Sequence, residues 1–239
     1  MTSPIPTVAA TAFGLVRAGR PAAALHLIRD ETGISRAADL PDLSGAAGQL
    51  AGAWAMLLHA AGWAAGDLGD DLAAWDLLVA GYGIAMRADL ATSAGTLAYE
   101  IAVLDLRCGR IDEAQQECAI AIRLRLQREE DPLRPMLLLA GALAAASRLG
   151  EALAAVSWAV ECAAATGDLA AWSDALERHG HIALAAGDYH TAVRQWVMAL
   201  RLARMAGLRE PAARVAGLLA ELAANPVLAA DPVLAGRDQ

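Results

Sequence analysis

The sequence contains no lysine: all 19 of its basic residues are arginine. With abundant Ala and Gly, that bias points to a GC-rich coding genome and carries no mechanism. Positive charge is also outweighed, the formal net charge being -8. This argues against a nucleic-acid binder, which needs a basic face to displace counterions, and leaves any DNA contact to a partner. Aromatic residues make up only 4% of the chain while apolar residues make up 57%. The excess is therefore Ala and Leu, strong helix formers, and the expectation is an all-α protein.

Other absences narrow the function. Cys108, Cys118 and Cys162 are an odd set without metal-type spacing. They read as small core residues of a reducing, cytoplasmic compartment. There is no GxxxxGK[ST] run, no GxSxG elbow and no HExxH. Gly81 and Gly83 form a GxG fragment inside a predicted helix instead of after a strand, so they cannot cradle a phosphate. No metal or other cofactor is expected. The N-terminus lacks a basic region ahead of its apolar run, so no signal peptide is expected. Ser44 to Gly66 is uncharged for 23 residues, long enough to span a bilayer. Its Ala, Gly, Gln49 and His59 content is weakly apolar, which favours a buried helix over a membrane segment.

What is present is a repeat. Gly187 to Ala203, GDYHTAVRQWVMALRLA, opens with a Gly-Asp turn, carries Ala192 and Ala199 seven residues apart, and places Trp196 between them. Segments beginning at Gly69, Gly109 and Ser147 overlay it without gaps, their first residues about 40, 38 and 40 apart. That period belongs to helical solenoids. Small residues return at Ala74, Ala114, Ala152 and Ala192, and again at Gly81, Ala121, Ala159 and Ala199. Seven residues is two helical turns, so each pair marks one narrow face where another helix can approach closely. A hairpin of two helices per repeat, stacked on the next, follows.

These residues resemble the tetratricopeptide repeat (TPR). The likeness rests on a small residue on each first helix (Gly62, Ala102, Ala140, Gly180), then a Gly turn, then Ala, a bulky residue and Ala on the second. It covers roughly Gly45 to Leu208. Only the last copy has both the Gly-Asp-Tyr turn and an aromatic between the alanines; the others carry Leu78, Cys118 and Val156 there. The longer period and the run Leu72 to Trp75 are similar to the C-terminal halves of certain bacterial helix-turn-helix regulators. This resemblance implies a sensor or interaction half, with no DNA-binding half expected in the chain.

At 239 residues the chain can bury a substantial core as one elongated domain or two compact ones. The expected architecture is a TPR-like α-solenoid of about five antiparallel hairpins, near residues 7–31, 45–88, 89–128, 132–166 and 168–206. A capping helix follows at 211–224, so the repeat domain covers 1–224. Residues 225–239 form a tail expected to be extended along the surface or disordered. Gly33 to Ser44 breaks the period and predicts a loop. Asp89, Asp131 and Asp168 each stand just before a first helix, where a carboxylate can accept free backbone N–H groups. Val215, Leu218, Leu219 and Leu222 share one face of the closing helix.

In such a stack the resemblance places function on the concave surface lined by first helices. Helical spacing then selects Phe13 and Arg17, then Met56, His59 and Trp63, then Thr96, Tyr99, Val103 and Arg107, with Arg134 and finally Asp174, Glu177 and His181. Trp63 and Tyr99 fit packing between hairpins as well, and Trp54 and Trp172 read as structural spacers. Asp174, Glu177 and His181, at i, i+3 and i+7, fit a divalent-metal or acid–base set, and equally a solvated charged stripe.

Three readings stay open. The first is a non-catalytic interaction or regulatory module holding a protein or peptide in the groove, with Phe13, Trp63 and Tyr99 as anchors and Arg107 and Arg134 orienting an acidic group. The second is a sensor or carrier of a small hydrophobic or amphipathic ligand. The third is an atypical helical enzyme of specialised metabolism. Homodimerisation is open to an apolar-rich solenoid that covers leftover surface on itself, although no residue demands it.

Overall fold

The computed structural model describes residues 5–43 and 48–224, and the expected tail at 225–239 lies outside the described residues. Eleven α-helices and one short 3₁₀ turn, with no strand, make up these residues. The helices are α1 (Ile5–Arg17), α2 (Pro21–Thr32), α3 (Gln49–Asp67), α4 (Asp71–Arg87), α5 (Ala91–Arg107) and α6 (Ile111–Leu126). They continue with α7 (Leu133–Ala145), α8 (Leu149–Thr166), α9 (Leu169–Ala185), α10 (Tyr189–Met205) and α11 (Arg209–Ala223). None is long and apolar enough to cross a membrane among the described residues.

The eight turns from α3 to α11 share one device. Each carries one residue at positive φ: Gly69, Asp89, Gly109, Glu129, Ser147, Gly167, Gly187 and Gly207. Left-handed backbone at that position reverses the chain after the last helical turn, and glycine reaches it without a Cβ penalty. Where the next residue is Asp, its side chain caps the following helix. Asp70 accepts from Ala73 N–H at 3.0 Å, Asp168 from Ala170 and Ala171 N–H at 2.9 and 3.1 Å, and Asp188 from Thr191 N–H at 2.9 Å.

The three expected caps separate on this device. Asp168 caps α9 as expected, and Asp131 accepts from Leu133 N–H at 2.9 Å at the start of α7. Asp89 does not cap α5. It takes the left-handed place itself, at φ 54°, and Leu90 becomes the N-cap residue with no side-chain bond. The turn Arg87-Ala88-Asp89 lacks a glycine, and Asp tolerates left-handed backbone better than its neighbours do.

Contacts divide the chain into unit 1, Met1–Pro135, and unit 2, Met136–Gln239. In unit 1 the first helices α1, α3 and α5 lie side by side, and α4 and α6 each pack against α5. In unit 2, α8, α9, α10 and α11 pack in succession. The small residues that carry the repeat, Ala74, Ala114, Ala152 and Ala192, then Ala121, Ala159 and Ala199, are all buried, as is Gly81.

Two glycines mark where helices cross most closely. A Cβ on Gly62 would meet Leu78 Cγ at 2.7 Å, and one on Gly180 would meet Trp196 Nε1 at 2.3 Å. The bulky second-helix residues of these repeats thus face bare backbone. In the same register, the smaller Cys118 and Val156 go with Ala102 and Ala140, so the bare glycine is kept for the two bulkiest partners, Leu78 and Trp196.

The segment 33–43 is pinned to unit 1. Ile34 is buried, Leu40 and Leu43 pack on the core, and a 3₁₀ turn spans Ala37–Asp39. Asp39 accepts from the N–H groups of Ser35 and Arg36, both at 3.1 Å. In unit 2, α11 closes the stack through Val215, which is buried, with Leu218, Leu219 and Leu222 packed beside it. The cysteines do not all behave as small core residues. Cys118 is buried and its thiol is pushed up to about 12, mainly by burial. Cys162 is half-buried, and Cys108 is exposed at the end of α5, outside the core.

Candidate functional site

On the first-helix face of unit 1, α1 and α3 bring Phe13, His59 and Trp63 together. The Phe13 ring meets His59 edge-on at 4.8 Å and Trp63 at 6.1 Å, and His59 stacks near Trp63 at 6.2 Å. Their spacing explains the convergence: His59 and Trp63 are one turn apart on α3, and α1 lies against that turn. Met56, one turn earlier, is 45% exposed and leaves a bare apolar edge beside the rings.

From α5, Glu100 faces the same cluster. Its Oε1 lies 3.8 Å from His59 Nε2, beyond direct hydrogen-bond reach. Below Trp63 a cleft of about 190 Å³ runs between α3 and α5 and is lined by Glu100, Val103 and Arg107. Arg107 is already engaged, donating to Gly66 O at 3.1 Å and to Asp71 Oδ1 at 2.6 Å. Sequence reasoning missed Glu100, although it shares the stripe of Thr96, Val103 and Arg107 at three- and four-residue steps. Thr96 turns its hydroxyl to its own helix at Thr92 O.

The remaining candidates are dispersed. Tyr99 is half-buried on α5, Arg17 is exposed at the end of α1, and Arg134 is exposed in the first turn of α7. Trp54 belongs to the core of unit 1, and Trp172 packs on the core of unit 2.

The charged trio of unit 2 is not a free face. Glu177 is buried, at 6% exposure, and both its oxygens accept from Arg214 of α11, at 2.6 and 2.8 Å. Asp174 pairs with Arg178 at 3.1 Å within α9. His181 is exposed, with its ring edge-on to Trp196 at 5.2 Å. The middle member is therefore consumed by an ion pair that ties the closing helix to α9. Among the described residues no three His, Cys, Asp or Glu side chains are grouped to hold a metal ion.

A larger feature lies on the second-helix side of unit 1. Between α4 and α6 a cavity of about 720 Å³ opens over α5. Trp75, Val79 and Tyr82 form the α4 wall, and Ile101 and Asp105 of α5 form the floor. Glu113 and Glu117 stand on α6, and Arg110 is the residue just before it. Asp105 is buried and bound to Arg110, whose Nε donates to Oδ1 at 2.8 Å. Arg110 also lies 5.6 Å from the centre of the Trp75 ring, a cation–π contact. Glu117 has no such partner: its Oε2 is buried without a hydrogen bond. Burial, with Asp105 adding to it, pushes the Glu117 carboxyl above the usual carboxylate range. The Tyr82 hydroxyl is pushed up the same way, by burial first and Glu117 second.

No sequence-family profile matches the chain, and no curated protein matches it by sequence. Among solved structures it is similar to the nearly identical TPR-like repeats of a proposed kinesin light chain from Podosopora anserina, with TM-score 0.69 and 15% identity, covering 86% of this chain and 97% of that one. It is similar to BtubC (BKLC) from P. vanneervenii, with TM-score 0.70 and 14% identity, covering 84% of this chain and 80% of that one. A Rap protein complexed with Competence and Sporulation Factor gives TM-score 0.58 at 13% identity, covering 90% of this chain and 69% of that one. At these identities the likeness shows the fold alone, and that fold is an all-α, TPR-like solenoid.

Proposed function

We propose that this TPR-like protein is a non-catalytic interaction module that holds a segment of a protein or peptide partner on the first-helix face of unit 1. The observation that carries the reading is the cluster of Phe13, His59 and Trp63 on adjacent first helices, bordered by exposed Met56 and by the carboxylate of Glu100. Aromatic rings held by their neighbours give large contact area at little entropic cost, which is what an interface anchor requires. Glu100 adds a polar point that orients a donor group on the partner. One protein of this fold, the Rap protein, is itself complexed with a factor. The long repeat period and the run Leu72 to Trp75, which resemble the C-terminal halves of helix-turn-helix regulators in sequence, lend support to a regulatory form of this reading. At Asp174, Glu177 and His181 the catalytic alternative loses its middle carboxylate to Arg214.

The test is capture of partners from the native cell by the full chain, followed by calorimetry of the captured protein against wild type and Trp63→Ala. Trp63 is half-buried in the free chain; covered by the partner as an anchor, it should contribute on the order of 2 kcal/mol, so the variant should bind about thirtyfold more weakly. Unchanged affinity in Trp63→Ala would overturn the assignment of this face.

A further inference from the structure

We propose that the cavity between α4 and α6 is a second binding site, separate from the first-helix face, for a small organic amine whose ammonium group pairs with Glu117 while its apolar body lies along Trp75, Val79 and Ile101. Three observations meet here. First, the cavity, at about 720 Å³, falls within the range of small-molecule sites, roughly 300 to 1,000 Å³. Its walls are aromatic and aliphatic, with a few polar groups converging from α5 and α6, the composition such sites have.

Second, the acidic groups around it are not equivalent. Asp71 is held by Arg107 at 2.6 Å and Asp105 by Arg110, whose Nη2 lies 2.6 Å from Oδ1. Glu117 has received no arginine, and its Oε2 is buried without a partner. A buried acceptor left unsatisfied is costly, and a cation held in the cavity would give the Glu117 carboxylate that lines it a charged donor. Third, the Trp75 ring already accepts one cation, Arg110, so the site's aromatic wall suits positive charge near its face. An anionic ligand would meet Glu113 and Glu117 together, which excludes carboxylates and phosphates as the preferred class.

A matched series of indole probes tests this on the intact chain by calorimetry: tryptamine as the cation, tryptophol as the neutral analogue and indole-3-acetate as the anion. Wild type should bind tryptamine at least about tenfold more tightly than tryptophol, the lower end of what a charge-assisted hydrogen bond contributes. Indole-3-acetate should bind most weakly. Glu117→Gln, which keeps the side-chain shape, should erase the preference for tryptamine while leaving tryptophol unchanged. Equal affinity for all three probes, no binding of tryptamine at millimolar concentration, or a preference that survives in Glu117→Gln would overturn the proposal. Tighter binding of the blocked tripeptide Gly-Arg-Gly than of tryptamine would overturn it too, in favour of a basic side chain from a partner protein. The series on wild type needs no variant, and none of its outcomes depends on Trp63.

Discussion

Gly180→Ala in α9 puts the packing of unit 2 to the test. In an exposed helix this change stabilises by about 0.8 to 1.0 kcal/mol, because glycine loses more backbone entropy than alanine. At position 180 the added methyl would lie 2.3 Å from Trp196 Nε1 and 2.4 Å from Cδ1, so one partner has to move. The indole is 1% exposed and its N–H donates to Glu177 O at 3.1 Å, so moving it strains the core and breaks a buried bond. Overpacking costs roughly 1 to 3 kcal/mol and the lost bond about 1 kcal/mol. Propensity offsets part of this, leaving a net loss of roughly 1 to 3 kcal/mol. Gly217 in α11 is the internal control, since a Cβ there meets nothing within 4 Å. Gly217→Ala should stabilise by about 0.5 to 1 kcal/mol.

The double variant Gly180→Ala with Trp196→Val recreates the pairing that positions 140 and 156 hold in the preceding repeat. Its loss should fall short of the sum of the single losses by at least about 1 kcal/mol, the coupling expected of residues in contact. Urea denaturation read by circular dichroism and by tryptophan fluorescence compares wild type with Gly180→Ala, Trp196→Val, the double variant and Gly217→Ala. A Gly180→Ala variant as stable as Gly217→Ala, or an additive cycle, would refute the idea that the glycine exists to admit the indole.

Arg214→Ala should destabilise unit 2 by about 1 to 3 kcal/mol in the same assay, because it strands the buried Glu177 carboxylate while the half-exposed guanidinium is partly screened. Arg214→Lys should recover only part of the loss, since a lysine cannot make the bidentate contact. Asp168→Ala should cost about 1 kcal/mol through the lost cap of α9. Glu117 makes a prediction in pH. Its carboxyl is raised above an ordinary value near 4.5, so the folded chain binds this proton more tightly than the unfolded one. Its contribution is complete below the ordinary value and is lost as pH rises through the raised one. Glu117→Gln should therefore flatten the decline in stability as pH rises above the ordinary carboxylate value, measured by urea midpoints. An identical pH profile in the variant would contradict the raised value.

Which parts were legible follows from the range of the forces involved. Small residues two turns apart, the Gly-Asp turns and the apolar face of α11 are local patterns, and each maps directly onto a helix, a turn or a buried stripe. The convergence of Phe13, His59 and Trp63 was also reachable, because first helices in successive hairpins lie side by side. Asp89 misled because a residue before a helix is also a residue after one, and the absent glycine decided which role it took. Asp174, Glu177 and His181 do share α9, but no spacing rule shows that Arg214, on another helix, reaches back to claim the middle carboxylate.

From composition and periodicity alone came the all-helical class, the two-helix unit and the burial of its alanines, since these depend on propensity and on contacts within a turn or a hairpin. Only the tertiary structure decided which acids are neutralised by arginines from distant positions, and that a cavity opens between α4 and α6. Charge pairing and empty space arise from side chains far apart in sequence meeting in three dimensions, and a one-dimensional pattern carries neither.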